Sequence, residues 1–509
     1  MTIQDEGFFI FRGKNWQIGM LAMLVAVLAF LLCLVRIYNS ASFSEPIQLL
    51  TSGDEVSSFF GTWNAMHGLD IYLDRFQSPY SLADFNWLFY ETSAVWTRFW
   101  LKALSLNEAW IPTLVRFWTI AGCATGGTAA FLLFRDILRK QDAANSALAL
   151  GISALLVWGP LYGFWSFTAR PDVWAVSLEI IAISAFIALY RSHPVMSVIL
   201  VSVIAYLGWS FKHTTVFGLG SVGLFLLFRR DFKLLALLTF SSVLFWVITF
   251  ASMSTIYFET IFTIGHPLAY SLERALRNFT NFALKTTFLW LPLAGFVALV
   301  VSRERKIFDL KDDALLLALC GVGFTLPVEF ALSFQTESSE NYYFTPAFFM
   351  AFLFICLVSR TRLLSARTQT VITGLSSAGL ILTALAILSV LFGLSGFLKP
   401  PGNQQLINAQ KICLDSLQRP LYVNDRLMSL PWNTPNNTSY VRSYHYELER
   451  SLGRKFENDG IGGMIRDGKF ATIAVPSKPA PDKVDGATLE GYHLLPEQCA
   501  GMSIFVRNP

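Results

Sequence analysis

Charge is what this sequence has least of. Only 15% of its 509 residues are Asp, Glu, Lys or Arg, against 54% hydrophobic and 15% aromatic, a balance no soluble protein of this length tolerates. The chain is therefore read as an α-helical polytopic membrane protein. The net charge of +4 is small, and the basic residues are scattered over short loops, which excludes nucleic acid as a partner. Cysteine is scarce too: of six, Cys33, Cys123, Cys320 and Cys356 lie in apolar runs and serve as small packing residues. The first apolar run, Trp16 to Val35, is too long for a signal-peptide core and lacks a small-residue cleavage site, so it is expected to stay as the first membrane helix.

Further apolar runs of membrane length begin near Ile111, Ala143, Asp172, Val195, Thr214, Leu234, Leu284, Ala314, Tyr342 and Thr370, giving about eleven spans at roughly twenty residues each. With that count, Arg135, Arg139, Lys140, Arg229, Arg230, Lys233, Arg303, Arg305 and Lys306 all fall on one side. The positive-inside bias then makes the N-terminus cytoplasmic in an inner (plasma) membrane and the end of the chain periplasmic or extracellular. Residues 1–398 form the membrane module, with a long first external loop at 36–110. After Lys399-Pro400-Pro401-Gly402 the composition becomes mixed, and 399–509 reads as a small extracytoplasmic α/β domain. Short strands are expected at Leu421 to Val423 and Ala471 to Val475, and a helix over Tyr440 to Leu452. The domain carries no metal-ligand spacing, phosphate loop or nucleophile elbow, so it is assigned to acceptor handling or structure. Cys413 and Cys499 both fall in it, in a compartment where disulfides persist, and are expected to pair.

The first external loop carries the densest polar signal. It contains Asp54 and Glu55 side by side, and adjacent acids beside a bilayer are costly unless solvated or used. Val56, Phe59, Phe60, Trp63 and Met66 recur at helical spacing, which predicts an amphipathic helix lying on the membrane surface. A second interfacial helix is expected from Trp87 to Leu104. Ser52-x-x-Glu55 also fits a capping box, with Asp54 in a first turn that favours negative charge. Catalysis and capping are compatible, because a capped helix start is a rigid mount for a base.

Other polar features converge on the same side if the topology holds: Arg170-Pro171-Asp172, the Lys212-His213 pair, the 258–283 loop with His266, Arg274 and Arg277, and Asn341-Tyr342-Tyr343. Each has an ordinary use. Lys212 can snorkel, Arg274 and Arg277 can meet anionic lipid, and tyrosines anchor membrane boundaries. Together, cations and carboxylates on one face suit a lipid phosphate and a sugar acceptor.

The run Gly53-Asp54-Glu55, the Trp- and Met-bearing helix after it, and Gly68-x-x-Ile71-Tyr72 resemble the first external loop of the GT-C glycosyltransferases. Within that superfamily the chain is most similar to protein O-mannosyltransferases and lipid A aminoarabinose transferases. Arg170-Pro171-Asp172, Phe211-Lys212-x-Thr214 and Asn341-Tyr342-Tyr343-Phe344-x-Pro346 resemble motifs of bacterial relatives.

The resemblance implies inverting transfer of a sugar from a polyprenyl-phosphate donor to a lipid, glycan or protein acceptor. Asp54 would be the general base, and Glu55 would orient or bind the acceptor. Lys212, Arg274 and Arg277 would stabilise the leaving phosphate, with Arg170, Asp172, His213, Asn341, Tyr342 and Tyr343 as further substrate contacts. No cofactor is required by this reading. A Glu-Lys-Pro run of the aminoarabinose transferases is matched here by Tyr90-Glu91-Thr92-Ser93, which keeps the acid and lacks the lysine. Glu91 with His266 makes a candidate site for a divalent metal. A transporter or flippase is the rival reading, since Glu179 and Glu329 are acids within apolar spans. No inverted repeat relates the two halves, and a terminal external domain suits a surface-acting enzyme better.

Overall fold

The computed structural model describes residues 6–42, 54–138, 143–262, 270–303, 309–335, 338–394, 403–434, 440–441, 444–476, 481–496 and 499–509. Among them, eight helical stretches are long and apolar enough to cross a membrane, and Ala143–Trp158, Phe217–Arg229 and Thr287–Ala298 are shorter apolar helices. In chain order the helices of the membrane module are α1 (Glu6–Ser42), α2 (Asp54–His67), α3 (Trp87–Ala103), α4 (Ile111–Ile137), α5 (Ala143–Trp158), α6 (Asp172–Leu189), α7 (Pro194–Phe211) and α8 (Phe217–Arg229). They continue as α9 (Phe232–Ser252), α10 (Thr255–Phe262), α11 (Leu272–Lys285), α12 (Thr287–Arg303), α13 (Asp313–Leu332), α14 (Phe344–Val358) and α15 (Ala366–Leu394). Helices suit a bilayer because each satisfies its own backbone.

Packing between them follows membrane rules, with small residues for close approach and hydroxyls across interfaces. At Gly151 of α5 a Cβ would lie 2.6 Å from the Ala22 carbonyl oxygen of α1, and at Gly126 of α4 it would lie 2.2 Å from Ser177 Oγ of α6. Any larger residue would push these pairs apart. Ser202 and Ser241 share a hydrogen bond of 2.7 Å, and Tyr206 and Thr249 one of 2.8 Å, joining α7 to α9.

The terminal domain holds α16 (Asn403–Asp415), α17 (Tyr444–Ser451), α18 (Gly460–Arg466), and strands β1 (Leu421–Val423), β2 (Thr472–Val475), β3 (Lys483–Val484), β4 (Ala487–Thr488), β5 (Tyr492–Leu494) and β6 (Ser503–Arg507). Four strands form one sheet in the order β1-β2-β6-β5, with β1 and β2 parallel and the other pairs antiparallel. The β3–β4 hairpin turns at Asp485-Gly486, both at positive φ, as a two-residue hairpin turn requires. Cys413 at the end of α16 and Cys499 are joined as a disulfide with their Cα atoms 5.6 Å apart.

The first loop is clasped by this domain. Tyr80 is buried against Tyr446 and Phe456 and donates to the Glu457 carbonyl at 3.0 Å. Arg75 pairs with Glu449 at 3.2 Å, and Asp84 with His445 at 2.9 Å. Along helix α2, Val56, Phe59, Phe60 and Trp63 are buried, and so are Ser57, Ser58, Thr62 and Asn64 on its polar face, so the helix is covered on both faces where the spacing predicts one open polar face. Helix α3 does present one open face, through Val95 and Phe99.

Candidate functional site

The site begins at the first turn of α2. Both oxygens of Glu55 are taken: Oε1 accepts from Arg116 Nε at 3.1 Å and from the Ala169 backbone N–H at 2.9 Å, and Oε2 accepts from Arg116 Nη2 at 2.8 Å. Both side chains are 0% exposed. Arg116 lies in α4 and Ala169 just before α6, so one buried carboxylate ties the loop helix to two membrane helices. Asp54 precedes Glu55 and opens α2. Its side chain, like Ser52 and Gly53, lies outside the described residues, and with Ser52 goes the expected capping box.

One residue beyond Ala169 a second cluster starts. Asp172, in the first turn of α6, accepts from Arg170 Nε at 3.2 Å, from Lys212 Nζ at 2.5 Å and from Asn341 Nδ2 at 2.5 Å. Lys212 follows the last turn of α7, and its ammonium also sits 5.5 Å from the centre of the Tyr342 ring. Two cations against one carboxylate leave this cluster positive, which favours an anion nearby. Asn86 braces the wall, donating to the Trp209 carbonyl at 2.5 Å and accepting from Tyr257 at 2.9 Å.

A small cavity, with room for about one water, opens against the cluster, lined by Asp172, Lys212, Thr215, Glu329, Asn341 and Tyr342 among others. His213 stands beside Lys212 with Nδ1 shut off from solvent and without a partner among the described residues. Burial, with the adjacent Lys212 adding to it, pushes its pKa down to about 4, so the ring is neutral near pH 7 and is no phosphate cation there.

The structure thus brings together Arg170, Asp172, Lys212, Asn341 and Tyr342, with His213 adjoining and Glu55 linked through Ala169. Tyr343 faces elsewhere: its hydroxyl meets Ser333 Oγ at 3.0 Å and its ring stacks on Phe282 at 4.7 Å. Arg274, half-buried, and Arg277, exposed, sit on α11, and Glu91 is exposed on α3. His266 lies outside the described residues. Among those described, no group of three or more His, Cys, Asp or Glu could hold a metal ion. Glu179 has ordinary partners, accepting from the Gly218 N–H at 2.9 Å and from Thr345 Oγ1 at 2.6 Å. Arg116 went unread in the sequence because its own span is apolar. An arginine inside such a span is itself a signal that a distant acid must meet it.

No family model matches the chain, and no curated protein matches it by sequence. Solved structures do. The crystal structure of ArnT from Cupriavidus metallidurans in the apo state superposes with a TM-score of 0.56 at 11% identity, covering 95% of this chain and 98% of that one. The same protein bound to undecaprenyl phosphate gives 0.55 at 11% identity, over 95% and 99%. The archaeal oligosaccharyltransferase AglB from Archaeoglobus fulgidus, in complex with an inhibitory peptide and a dolichol-phosphate, gives 0.52 at 10% identity, over 89% and 69%. The fold of this chain is the one these structures share.

Proposed function

We propose that the protein is a GT-C-type glycosyltransferase that moves a sugar from a polyprenyl phosphate to an acceptor hydroxyl or amine at the loop-bearing end of the bundle. The observation that supports it most is the meeting, at one end of an ArnT-like fold, of a rigidly mounted acidic helix start with the positive Arg170–Asp172–Lys212 cluster. Two solved proteins of this fold carry undecaprenyl phosphate or dolichol-phosphate.

In this reading Asp54 takes the acceptor proton as the acceptor attacks the anomeric carbon. The bond from that carbon to the phosphate oxygen breaks, configuration inverts, and polyprenyl phosphate departs. Lys212 and Arg170 face the charge that develops on the leaving phosphate, with Arg274 and Arg277 further out on α11. Glu55 positions the base through α2 and makes no contact with substrate, since Arg116 and Ala169 occupy its oxygens. The reacting end is extracytoplasmic, and the N-terminus is cytoplasmic. Incubating the purified protein with a panel of radiolabelled polyprenyl-phosphate sugars tests the reading: one donor should be consumed and its label transferred or released. A panel left intact, in the presence of lipid, glycan and peptide acceptors, would overturn it.

A further inference from the structure

A hollow of about 430 Å³ is cut into the bundle between α1, α4 and α5, apart from the Asp172 cluster. Small residues from the three helices, Ala26, Ala124, Gly127 and Ala154, face one another and leave the space, with Phe30 and Phe131 beside them. Phe30 is exposed, so the hollow opens on the side of the bundle that meets lipid. Its volume lies within the range of ligand sites, about 300 to 1,000 Å³. The wall is almost wholly apolar, and apolar cavities do not hold water. Hydrocarbon is what fills it.

A charge at one end says which hydrocarbon. On α4, Ala124, Gly127 and Phe131 recur at helical spacing, and Arg135, in the last turn, is the next residue on that stripe. Side chains lean toward the N-terminus of their helix, and Arg135 does so, with its guanidinium 5.5 Å from the centre of the Phe131 ring. Arg135 is half-buried, its Nε is shut off from solvent without a partner, and no carboxylate pairs with it among the described residues. A buried donor on a cation without an acceptor is costly. From Arg135 back to Ala124 the helix rises about 16 Å, close to one leaflet of a hydrocarbon core about 30 Å thick. The space therefore has the depth of one lipid chain and a cation where that lipid carries its phosphate.

We propose that this hollow binds one anionic phospholipid, with its phosphate on Arg135 and an acyl chain between α1, α4 and α5. Arg116 and Arg135 stand at opposite ends of α4, so the lipid belongs to the leaflet remote from the candidate site, the cytoplasmic one in the proposed orientation. Basic pockets between membrane helices on that side suit anionic headgroups. The proposal does not depend on glycosyl transfer.

The test uses the full-length protein, stripped of lipid in detergent and titrated with phosphatidylglycerol or phosphatidylcholine of the same chains. Native mass spectrometry and melting temperature are read together. The parent should take up one phosphatidylglycerol saturably, melt higher with it, and bind phosphatidylcholine about tenfold more weakly. Arg135→Gln should bind the two lipids alike. Ala124→Trp, which fills the hollow, should weaken both; Ala154→Phe replaces it if that variant does not fold. A preference for phosphatidylglycerol that survives Arg135→Gln would refute the headgroup contact. Unsaturable uptake, unchanged by either filling variant, would mean ordinary surrounding lipid only and overturn the site. Inorganic phosphate raising the melting temperature as much as the lipid would make it a free-anion site, and a dimer broken by Ala124→Trp would assign the hollow to a second copy; either overturns the proposal.

Discussion

Replacing Glu55 with glutamine keeps the volume and removes the charge, so its effect isolates the ion pair with Arg116. Three donors converge on the carboxylate: two guanidinium N–H groups of Arg116 and the Ala169 backbone N–H. A glutamine offers one acceptor oxygen, and its amide nitrogen must face at least one of those donors. Arg116 is left charged and 0% exposed, and breaking a buried pair from one side costs about 3 to 5 kcal/mol. At a few degrees per kcal/mol this lowers the melting temperature in detergent by about 5 °C or more. Glu55→Met with Arg116→Met should recover much of the loss, because an apolar pair of similar size in place of a buried ion pair is often neutral. Melting curves of the parent, both single variants and the double variant suffice. A Glu55→Gln protein that melts with the parent, or single losses that simply add in the double variant, would refute the buried-pair reasoning. The outcome also separates Glu55 from its neighbour, since a base at Asp54 should cost turnover and leave melting unchanged.

For His213, the folded pKa of about 4 lies below the ordinary value near 6.5, so the unfolded chain binds more protons between the two. Its contribution to stability is complete above about pH 6.5 and is lost as pH falls toward 4, by at most about 3 kcal/mol; His213→Gln should therefore lose less melting temperature between pH 7.5 and 4.5 than the parent, and equal slopes would refute the burial effect. For orientation, cysteines placed at exposed Arg277 and Glu490 should react with an impermeant thiol reagent in whole cells, and one at exposed Arg230 should not. Background labelling should be low, since Cys33, Cys123, Cys320 and Cys356 are buried and Cys413 and Cys499 are paired. Reaction at Arg230 together with Arg277 would contradict the assigned orientation.

The membrane helices were legible because a span must be apolar along its whole length, and that pattern survives in one sequence. Even the two short runs that begin near Val195 and Thr214 form separate helices on either side of the Lys212-His213 pair, the first ending at Phe211 and the second starting at Phe217. Burial on two sides was not legible. Helix α2 looks amphipathic because it carries a polar face, and only packing against segments distant from it in the chain shows that this face is covered. The Glu55–Arg116 pair was hidden for a similar reason, since its members are separated by 61 residues and nothing local to either points to the other. Tyr342 and Tyr343 are adjacent and read alike, yet one meets Lys212 and the other packs into the core. Of the terminal sheet, β1 and β2 stood out as β-branched and aromatic runs. The rest are strands of two to five residues whose pairing is set by partners elsewhere.

The central claim is that the start of α2 carries the base for glycosyl transfer. The most direct measurement is turnover of the consumed polyprenyl-phosphate sugar by Asp54→Asn, at saturating donor and acceptor, on protein whose melting temperature matches the parent. A general base contributes about 10² to 10⁴ in rate, so turnover should fall by a factor of at least about a hundred with insertion and expression unchanged. Transfer by Asp54→Asn within a few-fold of the parent would contradict the claim.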